Sequence, residues 1–305
     1  MSTSITQKLI TILGPTASGK SEFAVRIAQQ INGEIISADS RQVYRGLNIG
    51  TGKITKKEMC GIKHYCLDAV DPKKLYTVDD YKKDALEAIK KIQKKGKTPI
   101  LVGGTGFYID SILYKTNLPA VKPNIKLRAQ LEKKSLTELF TLLKKLDPRR
   151  ARSIDRYNSR RLIRAIEIIK ATGKPIPINE KTSRFDTHII GIHLPKDELQ
   201  ARISKRVDSM IRRGLIKETQ KLIKTKVPRR RIEEFGFEYR YPLLYLDGKI
   251  SKKEMTERIK IETWHYAKRQ MTWFKRNQNI YWATSTPGAE KYIKKTYYNV
   301  PCLKH

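Results

Sequence analysis

Eight consecutive residues near the start of the chain have the types and spacing that bind a phosphate chain. Their letters, GPTASGKS, match the pattern G-x-x-x-x-G-K-[ST], which is informative when it joins a strand to a helix. Glycines let the backbone wrap an anion so that N–H groups point inward, and the helix N-terminus adds partial positive charge. Lys20 would place a cation on the terminal phosphates, and Ser21 would ligate Mg²⁺. The pattern predicts a di- or triphosphate site, without identifying ATP, at Gly14, Pro15, Thr16, Ala17, Ser18, Gly19, Lys20 and Ser21.

Two further candidates follow apolar runs that read as strands. Asp39 comes directly after such a run, and Thr105 stands within the glycine-rich segment 103–106. In open parallel sheets the carboxyl ends of the strands carry the site residues. Asp39 would then hold a metal or accept a proton, although capping of the next turn is the structural alternative. Thr105 would lie on a bare backbone that a ligand can approach, or in a simple turn. No acidic residue ends the strand before Thr105, which disfavours a simple ATPase.

Arginines at helical spacing form a third group. Arg160, Arg161 and Arg164 fall on one predicted helix, and the first and last are i, i+4 neighbours on one face. Arg202 and Arg206 repeat that spacing beside the apolar stripe of a later helix. A phosphate clamp and a solvated basic face explain these residues equally well, so the spacing alone leaves both open.

The elements that must position these residues alternate between strands and helices. Apolar runs at 8–13, 34–38 and 98–102 predict strands, and apolar periodicity predicts a helix over 21–31. A capping-box pattern at Thr77-x-x-Asp80 predicts the start of another helix. Such alternation implies βαβ units and a parallel sheet covered on both faces. The predicted fold class is α/β, with a P-loop NTPase-like parallel sheet core.

The character of the chain changes near Leu118-Pro119. From there to residue 187 it is basic, helical and poor in strands, and strand character returns at 188–194. We therefore predict a P-loop core formed by residues 1–117 and 188–305, interrupted by a helical insertion domain at 118–187. The second part of the core should contain an amphipathic helix and a last helix that starts at the Ser251-x-x-Glu254 pattern and runs towards Arg276.

The composition indicates a polyanionic partner. The chain has 64 Lys and Arg residues against 30 Asp and Glu, a formal net charge of +34. Such an excess repels itself unless a polyanion is near, so nucleic acid is the leading partner, although a solvated Lys-rich surface is the alternative. No apolar run reaches the roughly 18–20 residues of a membrane span, and the N-terminus lacks a signal-peptide pattern. We expect a cytoplasmic protein without a membrane partner.

The three cysteines predict neither a disulfide framework nor a zinc site. They are Cys60, Cys66 and Cys302, an odd and sparse set. Cys60, His64 and Cys66 lack both a paired C-x-x-C spacing and a fourth ligand.

Several motifs, in collinear order from about Lys8 to Arg276, resemble those of the tRNA dimethylallyltransferase (tRNA isopentenyltransferase) family. They are GPTASGKS, DSRQVY, GTGK, GIKHYCLDAVDP, VGGTGFY, RRLIRA, VDSMIRRGLIKE and AKRQMTWFKR. A P-loop alone is unspecific, whereas this ordered set over nearly the whole chain is highly specific.

The resemblance implies a dimethylallyl diphosphate donor, Mg²⁺, and tRNA as acceptor, modified at N6 of the adenosine immediately 3′ of the anticodon. It assigns Asp39 as the base that takes the N6 proton, Thr105 to the reacting centre, and residues 16–21 to the diphosphate. We also expect a monomer. The residues implied to contact tRNA are Asp39, Ser40, Arg41, Gln42, Thr105, Arg128, Arg160, Arg161 and Arg164.

Elementary chemistry agrees with this assignment. An exocyclic amine is a weak nucleophile, and a base such as Asp39 removes its proton as the C–N bond forms. Diphosphate leaves more easily when Mg²⁺, Lys20 and backbone amides spread its charge. A stacked adenine is inaccessible, so the base should be extruded into the site.

The chain departs from the family pattern at two places. Trp264 stands where Arg is usual before AKRQ, and residues 235–238 (FGFE) replace a Gly-Tyr-Lys-type segment. Both lie in the C-terminal part of the core, so we expect them to affect tRNA specificity rather than the P-loop chemistry.

Three other functions are compatible with a P-loop chain. An adenylate isopentenyltransferase would act on AMP, and would need neither the basic insertion nor the AKRQ region. A nucleotide or polynucleotide kinase would use ATP as phosphoryl donor, with the insertion as a lid. A non-catalytic RNA-binding protein would have no reason to keep Lys20, Ser21, Asp39 and Thr105 intact.

Overall fold

The computed structural model describes residues 8–115, 121–177, 182–284 and 286–298. Its contacts divide the chain into two compact units. The core unit comprises Met1–Leu113 and Ser183–His305, and the inserted unit comprises Tyr114–Thr182. The predicted start of the insertion, Leu118-Pro119, lies outside the described residues. The inserted unit ends before residue 187 because Asp186 already pairs with Lys8 in the sheet of the core unit.

The strands are short and mostly apolar. They are β1 (Lys8–Leu13), β2 (Gly33–Ala38), β3 (His64–Tyr65), β4 (Thr98–Gly103), β5 (Tyr114–Lys115), β6 (Thr182–Ser183), β7 (Asp186–Ile192) and β8 (Ile280–Ala283). Six of them form one sheet in the order β3-β2-β4-β1-β7-β8, and every pairing in it is parallel. β5 and β6 form a separate two-stranded sheet. The predicted α/β class with a parallel sheet core is confirmed.

Helices surround the sheet and build the inserted unit. They are α1 (Lys20–Gln30), α2 (Val78–Lys94), α3 (Gly106–Leu113), α4 (Ile125–Leu131), α5 (Leu136–Leu146), α6 (Pro148–Ser153), α7 (Ser159–Thr172), α8 (Lys196–Arg212), α9 (Leu215–Lys224), α10 (Arg229–Glu234), α11 (Phe237–Leu246), α12 (Lys252–Phe274) and α13 (Thr286–Tyr298). Over the described ranges, no helix has the length and apolar character needed to cross a membrane.

The register of the sheet brings three chain segments to one edge. Leu13, the last residue of β1, lies opposite Gly103 of β4, and Gly103 lies opposite Ala38 of β2. These central strands are buried along almost their whole length, as strands of a doubly covered parallel sheet must be. The three segments that follow these strands therefore start side by side at the carboxyl ends of the strands. They are the P-loop, the segment that begins with Asp39, and the glycine turn before α3.

Helices α2 and α12 both begin at the N-cap residues that the sequence predicted. At α2 the predicted capping box forms, with Thr77 and Asp80 bonding each other's backbone amides. At α12 the box predicted at Ser251 forms only in part: Ser251 accepts from the amide of Glu254, but the Glu254 carboxylate instead bonds Arg258 one turn later.

The C-terminal end of the core unit differs from the prediction. α12 is not the last helix, because the chain continues into β8 and α13. β8 is only four residues long and becomes a strand by pairing with β7, where Ile189 lies opposite Ile280. α13 buries Ala289 and Ile293 in the apolar cluster beneath the sheet. β8 is too short to have a periodic pattern of its own, so its pairing with β7 determines it.

The inserted unit has its own apolar core. Side chains of α4, α5, α6 and α7 form it, and Leu139, Leu143, Leu162 and Ile166 are among its most buried residues. The helical character predicted for this part of the chain is thus present.

Candidate active site

The P-loop forms the connection between β1 and α1, from Gly14 to Lys20. Ala17 and Gly19 both have left-handed backbones, with φ of 64° and 87°. Alternation of left- and right-handed residues turns successive N–H groups towards one point and makes a concave anion site. The Lys20 ammonium donates to the carbonyl of Pro15 at 3.1 Å, which holds it above the loop. This backbone geometry is the one expected for a phosphate-binding loop. The predicted loop residues are Gly14, Pro15, Thr16, Ala17, Ser18, Gly19, Lys20 and Ser21.

The segment after β2 is organised by its own aspartate. Asp39 Oδ1 accepts hydrogen bonds from the amides of Arg41 (2.8 Å) and Gln42 (3.2 Å). Thr105 Oγ1 accepts from the amide of Ser40 at 3.1 Å. The carboxylate and the threonine hydroxyl are therefore held next to each other by backbone groups, so neither depends on a flexible side chain for its position.

Gln270, a buried residue of α12, joins the P-loop to the glycine turn. Its Oε1 accepts from the amide of Thr16 at 2.8 Å, and its Nε2 donates to the carbonyl of Gly104, also at 2.8 Å. A Cβ on Gly104 would lie 2.3 Å from that Nε2, so only glycine leaves room for the bridge. The AKRQ motif therefore has a structural task that its sequence did not reveal: it fixes the spacing between two loops of the site.

These loops surround a cavity of about 460 Å³, a size suited to a small ligand. The predicted site residues that line it are Thr16, Lys20, Ser21, Asp39, Ser40, Arg41, Gln42, Thr105 and Arg206. Arg202 is not among the lining residues; it pairs with Glu198 at 2.8 Å and its guanidinium lies close to Gly19. The structure thus brings together the P-loop, the Asp39 segment, Thr105 and one of the two clamp arginines.

Positive charge concentrates at the P-loop end of the cavity. Burial and, to a smaller extent, nearby Arg206 lower the pKa of Lys20, Asp39 opposes both, and together these effects bring the pKa to about 8. Burial likewise lowers the pKa of Arg206, whose Nη2 donates to the carbonyl of Thr51 at 3.1 Å. Two desolvated cations side by side are unfavourable alone, and an anion between them would relieve the repulsion.

The cavity is also lined by residues that the sequence did not assign to the site. Phe237 and Glu238 line the cavity, together with Tyr266 of α12. Burial raises the pKa of Glu238, a hydrogen bond from its own backbone amide and the charges of Arg41 and Arg206 oppose this, Asp39 adds to it, and together these effects bring the pKa to about 7. The segment 235–238 was expected to affect tRNA specificity from the C-terminal part of the core; the structure places it in the wall of the cavity itself. The departure from the family's Gly-Tyr-Lys pattern was the only sequence signal.

The other departure, Trp264, does not line the cavity. It packs against the apolar cluster around α8 and α12, and the Lys268 ammonium lies 5.7 Å from its ring centroid.

Within the inserted unit, the predicted arginines fall into two groups. Arg128 and Arg164 both bond Glu167, the first through Nε at 2.9 Å and Nη2 at 2.7 Å, the second through Nη1 at 2.5 Å. Burial alone would raise the pKa of Glu167, but hydrogen bonds from these arginines and from the amide of Asn124 lower it to about 2. Arg128 and Arg164, both partly exposed, therefore hold the buried Glu167 and join α4 to α7. Arg160 and Arg161 are exposed, and only the latter approaches a carboxylate, Asp155 at 3.8 Å, among the residues that the structure describes.

The cavity offers hard oxygen donors to a metal ion. The Ser21 hydroxyl and the Asp39 carboxylate both line it. Among the described residues, no group of three or more His, Cys, Asp or Glu side chains is arranged to hold a metal. Mg²⁺ commonly uses one or two protein oxygens, substrate phosphates and water, so this donor set fits an ion that binds together with a diphosphate.

A parallel sheet with a P-loop at the carboxyl ends of its strands, a cationic cavity, and a carboxylate near a threonine are the features of a P-loop enzyme. The family model described as IPP transferase matches residues 42–277. The chain therefore belongs to the IPP transferase family, as the resemblance of its motifs implied.

Individual relatives agree over nearly the whole chain. The chain is 41% identical, over 301 residues, to a tRNA dimethylallyltransferase of Acetivibrio thermocellus, covering 95% of this chain and 96% of that protein. A crystal structure of a full-length tRNA isopentenylpyrophosphate transferase from Bacillus halodurans matches with a TM-score of 0.69 and 38% identity, covering 91% of this chain and 90% of the other. A eukaryotic dimethylallyltransferase acting on tRNA matches with a TM-score of 0.80 and 27% identity, covering 98% of this chain and 81% of the other.

Proposed function

We propose that this chain transfers a dimethylallyl group from dimethylallyl diphosphate to N6 of the adenosine immediately 3′ of the anticodon in tRNA, giving N6-isopentenyladenosine. The observation that supports this most strongly is one cavity lined by Lys20 of the P-loop at one end and by Asp39 and Thr105 beside it. A leaving diphosphate and a base for the acceptor amine would thus meet in one enclosed space. The names of the relatives agree with this activity.

At the P-loop end, the donor's diphosphate is bound by the loop amides, Lys20 and Arg206. As the bond between the allyl C1 and the diphosphate oxygen breaks, negative charge grows on the leaving group. These fixed donors stabilise that charge without reorganisation at the moment of reaction. Mg²⁺, held by Ser21 and the phosphate oxygens, would add further charge stabilisation when bound.

At the acceptor end, Asp39 removes the proton from N6. Its Oδ1 is occupied by two backbone amides, and among the described residues no hydrogen bond reaches Oδ2. That second oxygen would accept the N6 proton as the amine forms its bond to the allyl C1. Thr105 positions the Asp39 segment through Ser40 and presents its hydroxyl to the reacting centre.

Because the acceptor is a whole tRNA, residues outside the cavity are needed to bind it. An adenine must leave the stacked anticodon loop to reach the cavity, and cationic side chains that bind backbone phosphates make this possible. We assign this task to the Asp39–Gln42 segment and to the exposed arginines of the inserted unit. We propose that the protein acts as a monomer in the cytoplasm, where its tRNA substrate is found.

The test is analysis of the modified nucleoside. Purified protein is incubated with dimethylallyl diphosphate, Mg²⁺ and unmodified tRNA, and the tRNA is digested and its nucleosides are identified by mass. We expect N6-isopentenyladenosine from the natural tRNA and none from a matched tRNA with guanosine at that single position. Equal modification of both tRNAs would show that another nucleotide is the acceptor.

A further inference from the structure

Glu218, a half-buried residue of α9, gathers the donors of a tight turn. Its carboxylate accepts hydrogen bonds from the amides of Asn48 (2.9 Å), Ile49 (2.8 Å) and Gly50 (3.0 Å). A fourth bond comes from the hydroxyl of Tyr239 at 2.8 Å. Three consecutive amides converging on one charged group form a charge-assisted anchor, which is stronger than the same number of neutral bonds.

The anchored turn continues directly into the wall of the cavity. The carbonyl of the following residue, Thr51, accepts from Arg206 at 3.1 Å and from Gln42 Nε2 at 3.3 Å. The Arg206 guanidinium also lies against Gly52, where a Cβ would be 2.2 Å from Nη2 and where φ is +57°. The backbone after the anchor therefore determines where the Arg206 guanidinium lies.

We propose that Glu218 is a positioning residue for the diphosphate site: by fixing the turn at 48–50 it holds the Thr51 carbonyl, and through it Arg206, beside Lys20. This inference rests on the proposed function, because it assumes that a diphosphate binds at the P-loop. Glu218 is not among the residues that line the cavity, so its effect passes through the backbone.

Two substitutions probe the anchor without emptying its space. Glu218→Gln keeps the shape but removes the charge and points an NH₂ group at backbone N–H donors, which must separate. Tyr239→Phe removes only the hydroxyl that makes the fourth bond; because Tyr239 also lines the cavity, its effect is assigned to the anchor only through the cycle with Arg206→Ala. The control is Glu34→Gln, because Glu34, which is more buried than Glu218, is another carboxylate that accepts from a tyrosine hydroxyl, that of Tyr65 at 2.8 Å. Glu34 lies on β2 at the end away from Asp39, outside the cavity lining.

The probe is inorganic pyrophosphate with Mg²⁺, titrated into the full-length protein by calorimetry. We expect Glu218→Gln to weaken binding about tenfold, the loss of one well-placed charged contact, and Glu34→Gln to leave it within about twofold. The sharper readout is a double-mutant cycle with Arg206→Ala. If Glu218 acts through Arg206, the double variant binds no worse than Arg206→Ala alone, within about twofold.

The outcomes separate failure of the positioning role from failure of the proposed function. Additive losses in the cycle, or unchanged binding by a folded Glu218→Gln variant, overturn the positioning role but leave the proposed function intact. If the wild type binds no pyrophosphate, the diphosphate site of the proposed function is overturned, and this inference with it. Should Glu218→Gln melt below the assay temperature, Tyr239→Phe replaces it, with an expected weakening of about threefold that also disappears in the Arg206→Ala background.

Discussion

At Asp39, one carboxylate oxygen holds the backbone and the other faces the cavity, so asparagine is an informative substitute. The asparagine side chain would still accept the amides of Arg41 and Gln42 through its oxygen, but it cannot take a proton. We expect Asp39→Asn to lower the single-turnover rate of prenyl transfer about 10²–10⁴-fold while tRNA affinity stays within a few-fold. A near-normal rate would show that Asp39 only shapes the turn.

At Lys20, the pKa of about 8 gives diphosphate binding a pH dependence. The ammonium binds the anion and the neutral amine does not, so affinity is full below pH 8 and falls as pH rises through that value. The other charged and titratable residues that line its cavity are Asp39, Arg41, His64, Arg206, Glu238, Tyr239, Tyr266 and Arg269. We expect pyrophosphate affinity to fall with pH above about 8 in the wild type, with a flatter profile in Lys20→Gln. Parallel profiles would assign the titration to the ligand or to a neighbour.

The individual residues differ in how well the sequence predicted them. The P-loop, Asp39 and Thr105 could be predicted to lie together because each lies at the end of a strand within a short local pattern, and all three line one cavity. The role of Gln270 was not predicted, since its partner Thr16 is 254 positions away in the chain. Glu238 was noticed only as a departure from a family pattern. Its place in the cavity depends on how α11 packs, and no local pattern encodes that packing.

Among the elements, α4 and α7 of the inserted unit are joined through Glu167, whose side chain is only 1% exposed. Its pKa is about 2 in the folded protein, well below the ordinary glutamate value of 4.5. The folded pKa is depressed, so this stabilisation is complete above about pH 4.5 and is lost as pH falls towards 2.

We expect Glu167→Gln to destabilise the protein by about 3 kcal/mol at about pH 7, because both arginines lose a charged partner. Acid and urea titrations of wild type and variant measure the difference, which should shrink below about pH 4. A pH-independent difference would mean that packing, and not charge, is lost.

The same elements show what a sequence can predict of a fold. β1 and α2 were predicted closely, because a buried strand and a capped amphipathic helix each repeat a pattern over several residues. α13 was not predicted, and β8 was missed because four residues are too few to define a strand before β7 is there to pair with it.

On the scale of the whole molecule, the question is whether the charge of +34 binds tRNA specifically at the inserted unit. Arg164 bonds the buried Glu167, so its removal would also destabilise the inserted unit. The test therefore replaces the exposed Arg160 and Arg161 with alanine. The measured quantity is the slope of the logarithm of the tRNA binding constant against the logarithm of the salt concentration. Each lost phosphate contact should make this slope shallower by about 0.7–0.9, so Arg160→Ala with Arg161→Ala should change it by up to about two units. The control removes two exposed core-unit lysines, Lys252 and Lys253, and should change the slope less. Equal effects would support a generally basic surface instead.

The central claim, that this P-loop serves prenyl transfer to tRNA, is tested most directly by offering alternative donors and acceptors. The wild-type protein is given radiolabelled dimethylallyl diphosphate with unmodified tRNA, with AMP and with neither, and in parallel γ-labelled ATP with the same tRNA. We predict that label moves from dimethylallyl diphosphate to tRNA alone and that none moves from ATP. Label on AMP but not on tRNA, or phosphate transferred from ATP to RNA without prenyl transfer, would contradict the account.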